Sequence, residues 1–147
     1  MDLDDIVKLE IYGTLAGTGN APTASEVARA VALPLDDVAA AFARLHQRRL
    51  LVPEPGDPAR IRMAPPFSGI ETAFRVRAGD TTYHANCVWD ALGIPAALHR
   101  DAIVDARDGQ TGESMTLEIR GGAPVGTPCV IHFAVPAARW WTDIVYT

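Results

Sequence analysis

The sequence predicts an α+β protein in which three helices come first and a mixed lobe with an antiparallel sheet and short helices follows. Two observations support this order. Apolar residues recur at three- and four-residue steps as far as Arg48, and after Gly69 they alternate singly with polar residues. The chain has 147 residues, of which 48% are hydrophobic and 21% charged, enough for one modest domain or two small lobes.

The first two predicted helices have clear boundaries. Apolar residues between Leu3 and Leu15 follow helical spacing, and the glycine-rich stretch at 17–20 ends the first helix. The second helix begins at a capping box, because Glu26 follows Thr23 by three residues. In a capping box each of these side chains satisfies a backbone N–H at the helix start, so this boundary is predicted on hydrogen bonding as well as on hydropathy.

A third helix and a hairpin complete the N-terminal lobe. Pro34 is predicted as the first residue of a helix over 35–48, because proline is favoured at that position. Short β-like runs at 50–52 and 60–63 form the hairpin, joined by a proline-rich loop at 53–58. The third helix has one apolar stripe, formed by Leu35, Val38, Phe42 and Leu45.

Three helices and a hairpin are the outline of a winged helix, which we predict over residues 1–64. Winged helices often bind DNA, but residues 1–70 contain 9 acidic and 7 basic side chains, and the whole chain has a net charge of −5. Asp36 and Asp37 also open the third helix, where contacts to bases usually lie. We therefore predict a lobe that does not bind DNA, with a working DNA reader as the alternative.

A second lobe is predicted over residues 65–147, beginning at the Pro65–Gly69 stretch. Alternation predicts a strand at 74–78 that turns at Gly79 and pairs with 81–83. A last helix, starting at Pro136, contains a Trp-Trp pair predicted to fill the core or a lobe interface. The other strands are predicted at 102–106, 114–120 and 130–135.

The compartment is predicted from cysteines and hydropathy. Two cysteines are too few for a disulfide framework. The acidic start at 1–5 lacks the basic region of a signal peptide, and no apolar run approaches the roughly 18 residues that a membrane helix needs. We predict a cytoplasmic protein with reduced thiols and no membrane partner.

Cys87 and Asp90 are the strongest candidates for chemistry. Asn86 is predicted to cap a helix that ends at Gly93 and Pro95, so that Cys87 lies in the first turn. Backbone N–H groups and the helix dipole favour a thiolate there. Asp90 lies three residues further on the same face, where a carboxylate can take up the thiol proton and return one. The alternative is a cysteine that only fills the core.

Cys129 precedes the predicted strand at 130–135 and could converge on Cys87. Two thiolates and a carboxylate would suit a soft, thiophilic metal. A zinc site formed by His84, Cys87, Cys129 and His132 is the competing pattern. Strand geometry disfavours that site, because residues three apart on a strand point to opposite faces.

The stretch 83–98 resembles the alkylmercury (organomercurial) lyases. It contains Tyr-x-x-x-Cys-x-x-Asp followed by Ile-Pro-Ala-Ala-Leu. The resemblance continues with Cys129 ahead of a His-Phe pair at 132–133 and with Val-Pro at 135–136 before a tryptophan-bearing segment. In the family the second cysteine lies one position earlier, where this chain has Pro128. The family also combines a winged-helix-like lobe with a catalytic lobe.

The resemblance implies protonolysis of a carbon–mercury bond. Cys87 would attack as a thiolate, Cys129 would be the second sulfur ligand of the mercury, and Asp90, also in contact with mercury, would deliver a proton to the leaving carbon. No organic cofactor is implied, and free thiols or a mercuric reductase would receive the Hg(II). Two alternatives are a non-catalytic metal-binding or metal-responsive regulatory protein of the same fold, and an inert domain. The oligomeric state stays open.

Overall fold

The structure is a computed structural model that describes residues 1–126 and 128–145. Three helices precede the strands, a fourth interrupts them, and a short 3₁₀ helix at Ala137–Thr142 follows. The helices are α1 (Leu3–Thr18), α2 (Ala24–Val31), α3 (Leu35–Gln47) and α4 (Val88–Leu98). The strands are β1 (Val52–Glu54), β2 (Asp57–Ala64), β3 (Phe67–Ser68), β4 (Phe74–Ala78), β5 (Thr81–Ala85), β6 (Ala102–Arg107), β7 (Ser114–Arg120) and β8 (Ala123–Val125). The predicted α+β class is confirmed.

The strands form one antiparallel sheet in the order β1-β2-β3-β5-β4-β6-β7-β8. Helices α1, α2 and α3 pack on one another near β2, and α4 packs against β4, β5 and β6. The sheet therefore continues from the hairpin into the second half of the chain. The boundary between lobes at residues 64 and 65 falls between β2 and β3, which pair with each other, and it stays a prediction.

The helix boundaries follow the local signals. Gly19 ends α1 in the left-handed conformation, and Thr23 and Glu26 form the predicted capping box of α2. Two details of α3 differ from prediction: Pro34 is its N-cap, and Leu35 is 49% exposed. Leu35 is the first residue of α3, and burial begins one turn later at Val38, where the helix packs against its neighbours.

The wing hairpin contains more strand than predicted. The proline-rich stretch at 53–58 lies mostly in β1 and β2, and only Pro55 and Gly56 form the turn. Pro53 is tolerated because β1 is the edge strand of the sheet and its pairing with β2 shifts in register on both sides of this residue.

The basic residues at the end of α3 have partners within the protein. Arg44 lies 2.6 Å from Asp4 and Arg48 lies 3.9 Å from it, and Arg49 lies over the ring of Trp141 at 5.7 Å. The hydrogen bond from Arg44 lowers the pKa of the Asp4 carboxyl, against a smaller effect of burial. These contacts agree with the expectation that the lobe does not bind DNA, which stays a prediction.

The strands of the second half are largely as predicted, with two additions and one error. Alternation places Val76 and Ala78 in the core, and β6 pairs with β7 along its whole length. The predicted strand at 130–135 is wrong: residues 128–135 form no strand, and Val130 is 93% exposed. Glu118–Arg120 on the outer edge of β7 pair with β8 instead, and Phe133 packs against Trp89 and Trp140. The sequence did not indicate β3 or β8.

The last helix is shorter than predicted. Pro136 is the N-cap, and within the described residues the segment is a 3₁₀ helix over Ala137–Thr142. Within residues 1–126 and 128–145, no helix has both the length and the apolar character needed to span a membrane.

Gly19 is expected to be critical for stability. It has φ +75, and a Cβ there would lie 2.2 Å from the carbonyl oxygen of Thr82 in β5. Gly19→Ala should therefore lower the free energy of unfolding by about 2–4 kcal/mol, since it adds left-handed strain to overpacking. Gly13→Ala is the matched control, because nothing lies within 4 Å of its added Cβ; in the interior of α1 it should stabilise by about 0.5–1 kcal/mol. Urea unfolding that gives equal effects would contradict this assignment.

Candidate functional site

The site is built where β5 passes into α4. Strand β5 ends at Ala85, and Cys87 is the N-cap of α4 with φ −154 and ψ 179. Its carbonyl oxygen accepts the first helical hydrogen bond, from the N–H of Ala91 at 2.9 Å. The prediction that Asn86 is the N-cap is therefore wrong by one residue. Cys87 is half-buried at the helix start rather than inside the first turn.

Helix α4 does not end at Gly93 and Pro95 as predicted but continues to Leu98. Ile94 and Pro95 are buried, and packing against the sheet compensates for the hydrogen bond that proline cannot donate. Gly93 lets α4 approach the turn between β2 and β3 closely, because a Cβ there would lie 3.2 Å from the side chain of Pro66.

Asp90 projects from the first turn of α4 and is held by Asn86. The Asn86 Nδ2 donates to Asp90 Oδ2 at 2.8 Å and to the carbonyl oxygen of Phe67 at 3.3 Å. Burial raises the pKa of the Asp90 carboxyl, and the hydrogen bond from Asn86 lowers it by a smaller amount. Asp90 therefore holds a proton more readily than a solvated aspartate.

The Cys87 thiol is less acidic than the sequence suggested. Burial raises its pKa, the backbone N–H of Asp90 lowers it, the negative charge of Asp90 raises it, and the N–H of Trp89 lowers it. The helix N–H groups act as predicted, but burial outweighs them. Cys87 keeps its proton until something displaces it.

Tyr12 extends the network behind Asp90. Its hydroxyl donates to the carbonyl oxygens of Leu50 and Pro65, at 3.2 and 3.1 Å. Burial raises the pKa of Tyr12, and the negative charge of Asp90 raises it further. The neutral phenol is thereby kept as a structural link between α1 and the sheet.

Cys129 lies on an exposed segment that lines an open cavity of about 780 Å³. Val88, the residue directly after Cys87, lines the same cavity. Its apolar walls include Phe74, Met115 and Leu117. The start of α4 and the Cys129 segment thus face one space.

Aromatic contacts attach this segment to the start of α4. The rings of Trp89 and Phe133 are 6.4 Å apart, and those of Phe133 and Trp140 are 5.2 Å apart. The Trp140 indole N–H donates to the carbonyl oxygen of Val135 at 2.7 Å. Trp141, under Arg49, fits the predicted role at an interface between the two halves. Sequence reasoning missed Trp89 and Phe133, and no spacing signal links them.

The described residues do not form a closed metal centre. Among residues 1–126 and 128–145, no three His, Cys, Asp or Glu side chains are grouped so that they could hold a metal ion. The four residues of the predicted zinc site are therefore not brought together as a metal site. One of them, His84, instead accepts a hydrogen bond at Nδ1 from the N–H of Thr72 at 3.1 Å. Cys87, Asp90 and Cys129 are likewise not grouped as a metal site, and their roles stay predictions.

Comparison with known proteins assigns the family. A family model described as MerB: Alkylmercury lyase matches residues 67–147, which contain all three candidate residues. A solved structure titled the crystal structure of the mercury-bound form of MerB2 aligns with a TM-score of 0.67 at 24% identity. The alignment covers 86% of this chain and 60% of that chain, so the likeness shows a shared fold over part of a longer protein. No curated protein matches the chain. Because the family model covers more than half of its length, the chain belongs to the alkylmercury lyase family.

Proposed function

We propose that this protein cleaves the carbon–mercury bond of small organomercurials by protonolysis. The observation that carries this proposal is the placement of a thiol and a carboxyl at the start of one helix, inside the segment that matches the family model. Cys87 and Asp90 are both partly withdrawn from water. Both lie at the start of α4, and we propose that the proton passes between them.

The first step is capture of the mercury atom. The Cys87 sulfur forms a bond to mercury and displaces the anion that mercury carries in solution, such as acetate or a thiolate, which leaves with its electron pair. Cys87 loses its proton in this step, since a metal-bound thiol is a thiolate. The Asp90 carboxylate takes up that proton, and its raised pKa favours this transfer. Cys129, at the cavity wall, is proposed as the second sulfur ligand, and because it is exposed it gives its own proton to solvent.

The second step breaks the carbon–mercury bond. The electron pair of that bond stays with carbon, which takes the proton from Asp90 and leaves as a hydrocarbon. Mercury remains as Hg(II) on the cysteine sulfurs. The reaction consumes no external oxidant or reductant. The residues named here therefore suffice, and the proposal requires no organic cofactor.

The surroundings favour an apolar organic group and a thiol-rich medium. Phe74, Met115 and Leu117 give the cavity an apolar wall beside Val88. Hg(II) would leave on free thiols, and an enzyme of the mercuric reductase class would consume it. This requirement for free thiols favours the reducing cytoplasm as the compartment.

Hydrocarbon release tests the proposal. The full-length protein, incubated with phenylmercuric acetate and excess thiol, should release benzene over many turnovers, measured by headspace gas chromatography. Heat-unfolded protein and thiol alone are the controls. Binding of mercury without any benzene would contradict the enzyme and support the non-catalytic metal-binding alternative.

A further inference from the structure

Asn86 is the polar side chain that connects Asp90 to the sheet. It lies between the end of β5 and the N-cap of α4, four residues before Asp90. Its amide nitrogen donates both to Asp90 Oδ2 at 2.8 Å and to the carbonyl oxygen of Phe67 at 3.3 Å. Both amide hydrogens are therefore committed, and the two acceptors fix the plane of the amide.

The anchor for this amide is rigid. Phe67 is 3% exposed, its backbone pairs with Ala85, and its ring packs against Tyr12 and Tyr83 at centroid distances of 6.4 and 5.7 Å. Tyr83 is itself buried, and its hydroxyl donates to the carbonyl oxygen of Ala16 at 2.7 Å. The carbonyl oxygen of Phe67 thus belongs to the core of the sheet, and it holds Asn86 in one orientation.

Holding the amide in this orientation has an energetic cost. Asn86 Oδ1 is buried and has no hydrogen-bond partner among the residues that the structure describes. A buried acceptor without a partner costs about 1–3 kcal/mol. Such groups are uncommon in folded proteins and call for a specific reason. Directing the donor side of the amide at Asp90 is that reason.

We propose that Asn86 is a positioning residue that selects the oxygen on which Asp90 carries its proton. An N–H that donates to Oδ2 makes this atom the carbonyl oxygen of the protonated acid, so the acidic hydrogen is placed on Oδ1. No hydrogen bond to Oδ1 of Asp90 is found within the described part of the chain, which leaves this oxygen free to exchange the proton. A carboxyl fixed in this way delivers its proton from one defined atom.

This inference rests on the proposed function, and three variants test it. Asn86→Ala removes the amide, and Asn86→Asp keeps its shape but replaces the donor with a carboxylate. Asn20→Ala is the matched control, because the Asn20 amide also donates to a backbone carbonyl, that of Thr18 at 3.1 Å, but lies away from the site. Turnover of phenylmercuric acetate gives kcat and KM, and mass spectrometry measures mercury bound at Cys87.

Both Asn86 variants should lower kcat by about 10- to 100-fold, because a misdirected catalytic group loses that much. KM and mercury binding at Cys87 should change less than about threefold, and Asn20→Ala should match the wild type. A kcat that stays at the wild-type value in folded Asn86→Asp or Asn86→Ala overturns the assignment of Asn86. If KM and mercury binding at Cys87 worsen by the same factor as kcat, the assignment is also overturned, because such a result indicates a structural role for Asn86. Absence of benzene release by the wild type instead overturns the proposed function.

Discussion

Cys87→Ser is expected to abolish benzene release from phenylmercuric acetate, with a loss of about 10³-fold or more in kcat/KM. The hydroxyl oxygen is a poor ligand for mercury, which prefers sulfur, so the first bond of the proposed reaction does not form. The fold should persist, because Cys87 is the N-cap of α4 and serine is a preferred residue at that position. Circular dichroism and headspace gas chromatography measure these two outcomes separately.

Cys129→Ser is the matched control for this prediction. Both cysteines are free thiols, but Cys129 is exposed on the cavity wall, whereas Cys87 is half-buried at the helix start. Removal of the second sulfur should slow the reaction less than removal of the first and should leave one mercury atom bound at Cys87. If Cys87→Ser kept full turnover and Cys129→Ser lost it, the attacking sulfur would be that of Cys129, and the assignment of Cys87 would be wrong.

The parts of the fold that sequence predicts are those fixed by neighbouring residues. The capping box at Thr23 and Glu26 forms because its hydrogen bonds span three residues. The alternation over β4 and the pairing of β6 with β7 follow from period-two burial on either side of a short turn. The relation of Cys87 to Asp90 is similarly local, since both lie at the start of one helix.

The parts that sequence does not predict depend on competition across the fold. Residues 130–135 have the composition of a strand, but β8 pairs with the end of β7 at Glu118–Arg120, and Phe133 packs on Trp89 and Trp140 instead. The net direction of the Cys87 pKa depends on how much of the sheet covers the sulfur, which no local spacing reveals. The four-residue spacing of Asn86 and Asp90 could have predicted the hydrogen bond between their side chains. The hydrogen bond from Asn86 to the carbonyl oxygen of Phe67 could not be predicted in this way, because it depends on the pairing of β3 with β5.

Asp90→Asn should separate mercury capture from hydrocarbon release. The asparagine oxygen can still accept from Asn86, but the amide cannot carry an acidic proton. Release of benzene should fall by about 10²- to 10⁴-fold, the usual contribution of a general acid, while mercury still binds at Cys87. Rapid-quench measurement of benzene and mass spectrometry of the mercury adduct give the two quantities. Unchanged release would exclude Asp90 as the proton carrier.

The pH dependence of the wild type gives a second test of the same pair. The reactive form has a proton on Cys87 and none on Asp90. The rate should therefore fall on the acid side as pH drops through the raised pKa of Asp90, and on the basic side as pH rises through the raised pKa of Cys87. Asp90→Asn should lose the acid limb of the residual rate, because asparagine has no proton to lose in this range.

Stability should change with pH in the direction set by burial of Asp90. Its pKa is raised in the folded protein, so the folded state binds the proton more tightly than the unfolded state. The contribution of Asp90 to the free energy of unfolding is complete below the pKa that Asp90 has in the unfolded chain. It is lost as pH rises through the pKa that Asp90 has in the folded protein. Since asparagine does not titrate, Asp90→Asn should gain stability relative to wild type as pH rises through this window.

Asp108→Asn should change stability with pH in the direction opposite to Asp90→Asn. Hydrogen bonds from the backbone N–H groups of Thr111 and Gln110 lower the pKa of the Asp108 carboxyl. The contribution of Asp108 to the free energy of unfolding is present above the pKa that Asp108 has in the unfolded chain and is lost as pH falls through its pKa in the folded protein. Asp108→Asn should therefore lose stability relative to wild type as pH rises. Urea unfolding of the three proteins across this range measures both differences. The same slope for both variants would mean that the hydrogen bond from Asn86 outweighs burial and that the pKa of Asp90 is lowered in the folded protein, which would contradict its proposed role as proton acceptor.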